Sequence, residues 1–288
     1  MVLGELDVET YWDFFRKISE MHKEETGQYY AQDTVSKVCN RFRAVLRDAF
    51  DEGLPIGFNF QKKGLKIKGF KSQEQQVYLK KHHLKAVIDA DVNHSKELTH
   101  GRNYIILSSF TSLRIGDMAK MKDYAPYIAV KNGNDYHLVR NKIIKSKSVT
   151  GGKLEAVEPL LRPVRDLLQE NGGEFPTFPS QTNTRRYVKK LLDYVGVHDD
   201  VTVEKMYYPD SEVVKTNHRL CDVFKAHSCR DTFITHIEQL RVNNAEVFTH
   251  PKSKASTAYQ GYNRTTKEEA AIMFIDDLNS KNDDLFRH

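Results

Sequence analysis

No long apolar run occurs anywhere in the 288 residues, which excludes a helical membrane span. The opening stretch, MVLGELDVETYWDFF, carries acids early and has no basic region followed by an apolar one, so a secretory signal is not expected. Cysteine is scarce: Cys39, Cys221 and Cys229 are odd in number, widely spaced, and none sits in a CxxC pair. A disulfide framework is therefore not expected, the usage fits a reducing cytoplasm, and a cysteine zinc site has no support. Internal repeats and low-complexity tracts are absent too, which removes solenoids and disordered linkers from consideration.

What is present is an ordinary, rather polar chain: 39% hydrophobic residues, a mean hydropathy of -0.61 and a net charge of +5. The length allows two domains. The distribution of charge says more than its sum. Lys62, Lys63, Lys66, Lys68 and Lys71 form one cluster, and Lys142, Lys145, Lys147 and Lys153 another. Such clusters can neutralise phosphates along a duplex, and they fit a solvated surface equally well.

Periodicity predicts a mainly helical α+β protein. Tyr11, Phe14, Phe15, Ile18 and Met21 recur at helical spacing, and a second helix is expected over Thr34–Glu52 with Val35, Val38, Phe42, Val45, Leu46 and Phe50 buried. Gly53 and Pro55 stop it. The short basic stretch after it offers little for a core and reads as a linker, so a small, abbreviated helical domain is expected over residues 1–75, with its basic linker at 54–75. Residues 76–288 read as a larger mixed domain with helices around Leu84–Ile88 and Tyr104–Leu113. Strands are expected at Tyr127–Val130, Tyr136–Val139 and Leu154–Val157, separated by Asn132-Gly133-Asn134 and Gly151-Gly152 and forming a small antiparallel sheet. Helices are expected from Pro159 to Leu168 and from Arg185 to Tyr194, then a hairpin around Pro209-Asp210. The remainder reads as helical, including an amphipathic run Thr265–Leu278 with Ala270, Met273, Phe274 and Leu278 on one stripe. That run could pack on its own domain or on a neighbouring copy.

Three separated segments together hold what phosphoryl transfer needs. In TSLRIGDM, Arg114 stands at the junction of an apolar helix and a new one. In HSCRDTF, His227 and Arg230 are three residues apart, on one face of a helix. In HPKSKASTAY, His250 precedes Tyr259 by nine positions. Each fragment alone has a plain alternative: an Arg–Asp surface pair, an accidental His-x-x-Arg, a half-buried packing tyrosine. The order of the three and the residues around them argue for more.

TSLRIGDMAKM resembles the first signature box of the tyrosine recombinase (phage integrase) family, T-G-L-R-x-S-E-L; HSCRDTFITH resembles the second, H-x-L-R-H-T-F-A-T; and HPKSKASTAY resembles the third. The wording is similar to integrases of conjugative transposons and prophages of the Bacteroides type. The likeness covers about Gln76–Asn279, and the helices before it resemble part of the family's core-binding domain. Departures exist. Ser112 replaces the usual Gly, Gly116 the usual Ser, Asp231 the usual His and Thr249 the usual Gly, none of them a group that does chemistry.

The resemblance implies roles that the chemistry supports. Arg114 and Arg230 would clamp the scissile phosphate through planar, charge-assisted hydrogen bonds that strengthen in the transition state. His227 would assist as a proton acceptor or hydrogen-bond donor near the same phosphate, and His250 would donate a hydrogen bond to the phosphate from the opposite side. Tyr259 would attack phosphorus, giving a 3′-phosphotyrosyl link and a free 5′-hydroxyl, with Tyr262 as the rival nucleophile. A covalent link conserves the phosphodiester's energy, so neither ATP nor a metal is expected. The general acid would be a lysine on the hairpin KIIKSKSVTGGKLEAVEPLL: Lys147, with Lys145 and Lys153 as rivals. Lys62, Lys63, Lys66, Lys68 and Lys145 are the expected DNA-backbone contacts. The histidines His82, His83, His137, His218 and His236 are expected in surface or packing roles, without metal-ligand spacing.

The implied protein is a two-part clamp on double-stranded DNA, acting as a homotetramer on two duplexes in the bacterial cytoplasm, at the nucleoid. The alternatives are a type IB topoisomerase with the same chemistry and a DNA-binding relative that has lost activity. No paired acids with metal-site spacing accompany the basic residues, which disfavours a metal-dependent nuclease.

Overall fold

Asp7 starts the first helix, its carboxylate accepting from Thr10 N at 2.7 Å, and Gly27 ends it at φ 80, a conformation that favours glycine. In the computed structural model, which describes residues 3–70, 77–142, 155–243 and 266–288, this helix is α1 (Val8–Thr26) and is followed by α2 (Gln32–Asp51). The chain divides into two compact units, Met1–Gln75 with Val201–His218, and Gln76–Asp200 with Arg219–His288. Among the described residues no helix is long and apolar enough to cross a membrane.

The first unit has its own core, built from Leu6, Tyr11, Phe15, Val35, Cys39 and Leu46 together with Phe60, Leu65 and Ile67. The last three correct the reading of 54–75 as a linker with little core. Tyr11 Oη donates to the Leu65 carbonyl at 2.7 Å, so this segment is tied to α1 inside the core. The helix stripes also differ from expectation. Met21, Val45 and Phe50 are exposed, whereas Ser19, Cys39 and Arg43 are buried. Ser19 Oγ donates to the Tyr208 carbonyl at 2.6 Å and accepts from Tyr30 N at 3.2 Å, which explains a buried hydroxyl on α1. Residues 201–218, left in the second domain by the sequence reading, cluster with this unit. They hold most of the hairpin β4 (Asp200–Met206) and β5 (Val213–Arg219).

The second unit is organised around α4 (Lys96–Thr111), buried on nearly all sides from Asn103 to Thr111. A helix apolar all round belongs inside a domain. Against it lie α3 (Lys81–Ile88), α6 (Arg162–Glu170), α7 (Gln181–Tyr194) and α9 (Ser228–Gln239); α5 (Ile115–Met118) follows α4 in the chain, and α8 (Leu220–Val223) lies on α7. α4 and α7 approach so closely that a Cβ on Gly101 would stand 2.6 Å from the Tyr187 carbonyl oxygen.

Three strands form an antiparallel sheet in the order β1 (Pro126–Lys131), β2 (Asn134–Lys142), β3 (Glu155–Pro159). Asn132 (φ 52) and Gly133 (φ 78) make the tight β1–β2 turn, where two left-handed residues match the twist of the strands. α10 (Lys267–Ser280) packs on β2 and β3, fixed by Tyr127 Oη donating to Glu268 at 2.8 Å and Tyr136 Oη donating to Asp276 at 2.7 Å. Its buried residues are Ala271, Ile272, Phe274, Ile275 and Leu278, with Met273 exposed, so the stripe is rotated from the expected one. The residues after α10 stay on the same unit: Asp283 pairs with Lys81, and Phe286 lies 4.8 Å from the Phe110 ring. Burial, with the charge of Arg165 next, holds His288 down at about 4, which suits an Nε2 that accepts from His137 N at 2.8 Å.

Candidate active site

The first arginine owes its position to the end of α4. Ser112 caps that helix in a left-handed conformation (φ 59), where the resembling family carries glycine, and the chain reverses there. Side chains pin the turn: Thr111 Oγ1 donates to the Leu107 carbonyl at 2.6 Å, and Ser108 Oγ donates to the Leu113 carbonyl at 3.1 Å. Arg114 is then the N-cap residue of α5, extended (ψ 154) and half-buried.

The second segment comes from α9. His227 is its N-cap residue and is exposed, while Ser228, Cys229, Arg230, Thr232 and Phe233 are buried. Tyr104 Oη donates to the Ala226 carbonyl at 3.2 Å, holding the approach to His227 against α4. Deeper in, Leu79 N donates to Thr232 Oγ1 at 3.0 Å, and His236 Nε2 donates to the Leu79 carbonyl at 2.8 Å. Burial raises Cys229 to about 12, so its thiol is an inert core group.

The two segments meet directly. Arg230 Nη1 donates to the Ser112 carbonyl at 2.6 Å. Burial lowers the Arg230 pKa first and the neighbouring Arg114 charge second; Glu158, Asp231 and Asp117 act in the opposite direction. Two guanidinium groups thus sit close enough to repel, backed by carboxyl groups. Asp117 is buried on α5, and Glu158 on β3 is buried with its pKa raised by desolvation to about 8, opposed by Arg230. Asp231 is half-buried and also raised by burial, with His227 and Arg230 lowering it.

Arg114 and His227 line one open cavity of about 670 Å³. Arg185, Lys189 and Lys225 line it too, and no carboxylate does among the described residues. These three cations were not singled out in the sequence. Their signal is the i, i+4 spacing of Arg185 and Lys189, visible once α7 is taken as a helix. A cavity with four cations and a histidine at its wall can hold an anion with delocalised charge, and phosphate is the fitting chemistry.

The other expected site residues divide by position. His250, Tyr259 and Tyr262, and the lysines Lys145, Lys147 and Lys153, lie outside the described residues. Lys62, Lys63, Lys66 and Lys68 are all exposed on the first unit, alternating with the buried Leu65 and Ile67. Lys66 and Lys68 border a shallow cavity of about 530 Å³ with Ser36 and Asn40 of α2. Two trios bring metal-ligand atoms within 4.8 Å, His82–His83–Asp199 and Asp193–His198–Cys221. Sequence spacing showed neither. Both are ion-pair networks already served by cations: Lys80 bonds Asp199 at 2.6 Å, and Arg219 bonds Asp193 at 3.0 Å.

No family model matches the chain, and no curated protein does. Solved structures do. The integrase of transposon Tn1549, in complex with circular intermediate DNA, aligns with a TM-score of 0.51 at 13% identity, over 94% of this chain and 86% of that one. XerH site-specific recombinase bound to palindromic difH aligns at 0.49 with 16% identity, over 93% and 70%. An integrase from mycobacterium phage Brujita aligns at 0.43 with 14% identity, over 94% and 78%. The first of these likenesses is one of fold: the mainly helical α+β architecture read from the sequence is that of a solved integrase.

Proposed function

We propose that the chain is a site-specific DNA recombinase of the tyrosine type. The observation that carries the reading is the meeting of two signature segments 118 residues apart, through Arg230 and the Ser112 carbonyl, beside a cavity lined by Arg114 and His227. The integrase fold supports it, and so does the third signature segment in the sequence.

In this reading the scissile phosphate of double-stranded DNA lies against Arg114 and Arg230. Their N–H groups bind the non-bridging oxygens and oppose the charge that gathers in the transition state. Tyr259 Oη, assisted by His227, attacks phosphorus; the bond from phosphorus to the 5′-oxygen breaks. The departing oxygen takes a proton from Lys147, or from Lys145 or Lys153, and His250 donates a hydrogen bond to the phosphate. A 5′-hydroxyl from a second duplex then reverses the step and reseals the strand. Four copies on two duplexes provide the exchange. Lys62, Lys63, Lys66 and Lys68 contact the backbone elsewhere without reading sequence.

The test is covalent trapping. Protein and its Tyr259→Phe variant are incubated with nicked suicide duplexes carrying candidate attachment sites, in the presence of EDTA. An SDS-resistant protein–DNA adduct that vanishes in the variant is expected. An adduct that survives there and is lost in Tyr262→Phe moves the nucleophile. Sequence-specific binding with no adduct would sink the enzyme reading and leave an inactive DNA-binding relative.

A further inference from the structure

α7 carries four cations in two i, i+4 pairs, and the structure treats the pairs differently. Arg186 and Lys190 turn to Glu97, at 3.2 and 2.6 Å, and share its one negative charge. Arg185 and Lys189, one position earlier on the same helix, line the cavity that Arg114 and His227 also line. Arg185 makes no ion pair among the described residues. Among the described residues Lys189 donates one hydrogen bond, to the Asp222 carbonyl at 2.6 Å, which holds its ammonium in place and leaves further N–H donors there for an anion. Lys225, two residues before His227, adds a third cation to this wall. The 186/190 pair shares an acid of the same unit, whereas this wall of three cations shows no carboxylate among the described residues and leaves room for an anion from outside.

Size leaves room for more than one phosphate. Pockets for ligands well above the size of one phosphate run at about 300–1,000 Å³, and this cavity is about 670 Å³. Arg114, His227, Arg185 and Lys189 line the same cavity, which leaves room beyond a single phosphate bound by the first two. A nucleic-acid backbone presents a second charge one nucleotide on, at a fixed and short spacing along the strand.

We propose that Arg185, Lys189 and Lys225 form a second phosphate subsite, which grips the backbone phosphate adjacent to the one held by Arg114. The proposal rests on the DNA-strand reading above and adds residues and a place to it. The subsite recognises the phosphodiester charge and not the base, since the three side chains that form it are all cations. Its work is positional: holding the strand on one side of the scissile phosphate fixes the line along which a nucleophile must approach.

The experiment is a salt titration of binding to a labelled duplex of arbitrary sequence. It compares the wild type, Arg185→Ala/Lys189→Ala, Arg186→Ala/Lys190→Ala on the opposite pair, and Arg114→Ala. The logarithm of the binding constant falls with the logarithm of salt in proportion to the phosphates neutralised. Removing Arg185 and Lys189 is expected to make that slope shallower by about two and to weaken binding roughly tenfold near 0.1 M salt. The 186/190 variant keeps the wild-type slope. Thermal melting checks folding, and Arg185→Gln/Lys189→Gln serves if the alanine pair is unstable.

An unchanged slope in the 185/189 variant, with Arg114→Ala still weakening binding, overturns the subsite and leaves the DNA reading standing. Equal losses from both pairs also overturn it, because any surface cation would then do. If the wild type binds no duplex at all, the subsite and the reading beneath it fall together.

Discussion

Arg230 Nη1 and the Ser112 carbonyl oxygen are 2.6 Å apart, a hydrogen bond that joins the middle of the second signature segment to the helix end where the first begins. That bond orients the guanidinium, whose charge is close enough to Arg114 for the two to repel. Lysine carries a point charge on a flexible stem and cannot hold both directions at once. Arg230→Lys is therefore expected to lower the rate of covalent adduct formation on a suicide duplex by about 10²–10³-fold, the scale of losing one oriented donor. DNA binding should change far less. A variant that cleaves at the wild-type rate would remove Arg230 from the phosphate clamp.

Ser112 itself is under strain. At φ 59 its Cβ meets the following backbone, and its buried Oγ has no hydrogen-bond partner among the described residues. A left-handed non-glycine residue costs about 1–2 kcal/mol. Ser112→Gly is expected to raise stability by about 1 kcal/mol, some of the gain being offset by the freer unfolded chain. Urea melts of the two proteins check it. A fall in stability would mean that the hydroxyl contributes more than its surroundings suggest.

These two residues mark what could be read in the sequence and what could not. Arg114, His227 and Arg230 were legible because three words in fixed order carry them, and Ser112 was legible as a departure; its strain and its bond to Arg230 needed the backbone. Leu65 and Ile67 were misread because lysines flank them. Local density is low there, and Tyr11, whose hydroxyl donates to the Leu65 carbonyl, is 54 residues away from Leu65. Arg43 was missed on α2 for a different reason. Its stem is buried with the core while Nη1 donates to the Leu65 carbonyl at 3.4 Å, which a hydrophobic stripe cannot show. Arg185 and Lys189 were invisible as a site because only the fold separates them from Arg186 and Lys190, residues of the same chemistry.

Glu158 predicts a pH effect. Burial raises its carboxyl from 4.5 to about 8, so the folded protein binds this proton more tightly than the unfolded chain does. A raised group contributes stability that is complete below the unfolded value and is lost as pH rises toward the folded one. The window is therefore about pH 4.5 to 8. Glutamine keeps the neutral shape without the proton. Wild type should lose stability relative to Glu158→Gln steadily across that window, by up to about 1 kcal/mol per pH unit, and level off above it. Melting curves at several pH values read this directly. Parallel curves would show that Glu158 is ionised throughout, as a partner of Arg230.

The contact of α4 with α7 sets the wall on which Arg185 and Lys189 stand, and one glycine permits it. A Cβ at Gly101 would meet the Tyr187 carbonyl oxygen at 2.6 Å, its carbon at 3.0 Å and Leu191 Cβ at 3.1 Å. Two of these three are backbone atoms in a helix, which cannot rotate aside as a side-chain end can. Gly101→Ala must therefore push the helices apart, at a cost of about 1–3 kcal/mol typical of overpacking. That loss outweighs the roughly 0.5–1 kcal/mol that alanine otherwise gains over glycine inside a helix. Gly116 provides the internal comparison: it lies in α5, its φ is not in the left-handed range, and a Cβ there meets nothing within 4 Å among the described residues. Gly116→Ala should therefore be neutral or slightly stabilising, so one and the same substitution is expected to have opposite signs at two sites of one unit. Thermal melts of both variants decide it. If Gly101→Ala melts at or above the wild-type temperature, the two helices are not held at this distance, and the cation wall on α7 loses its fixed position.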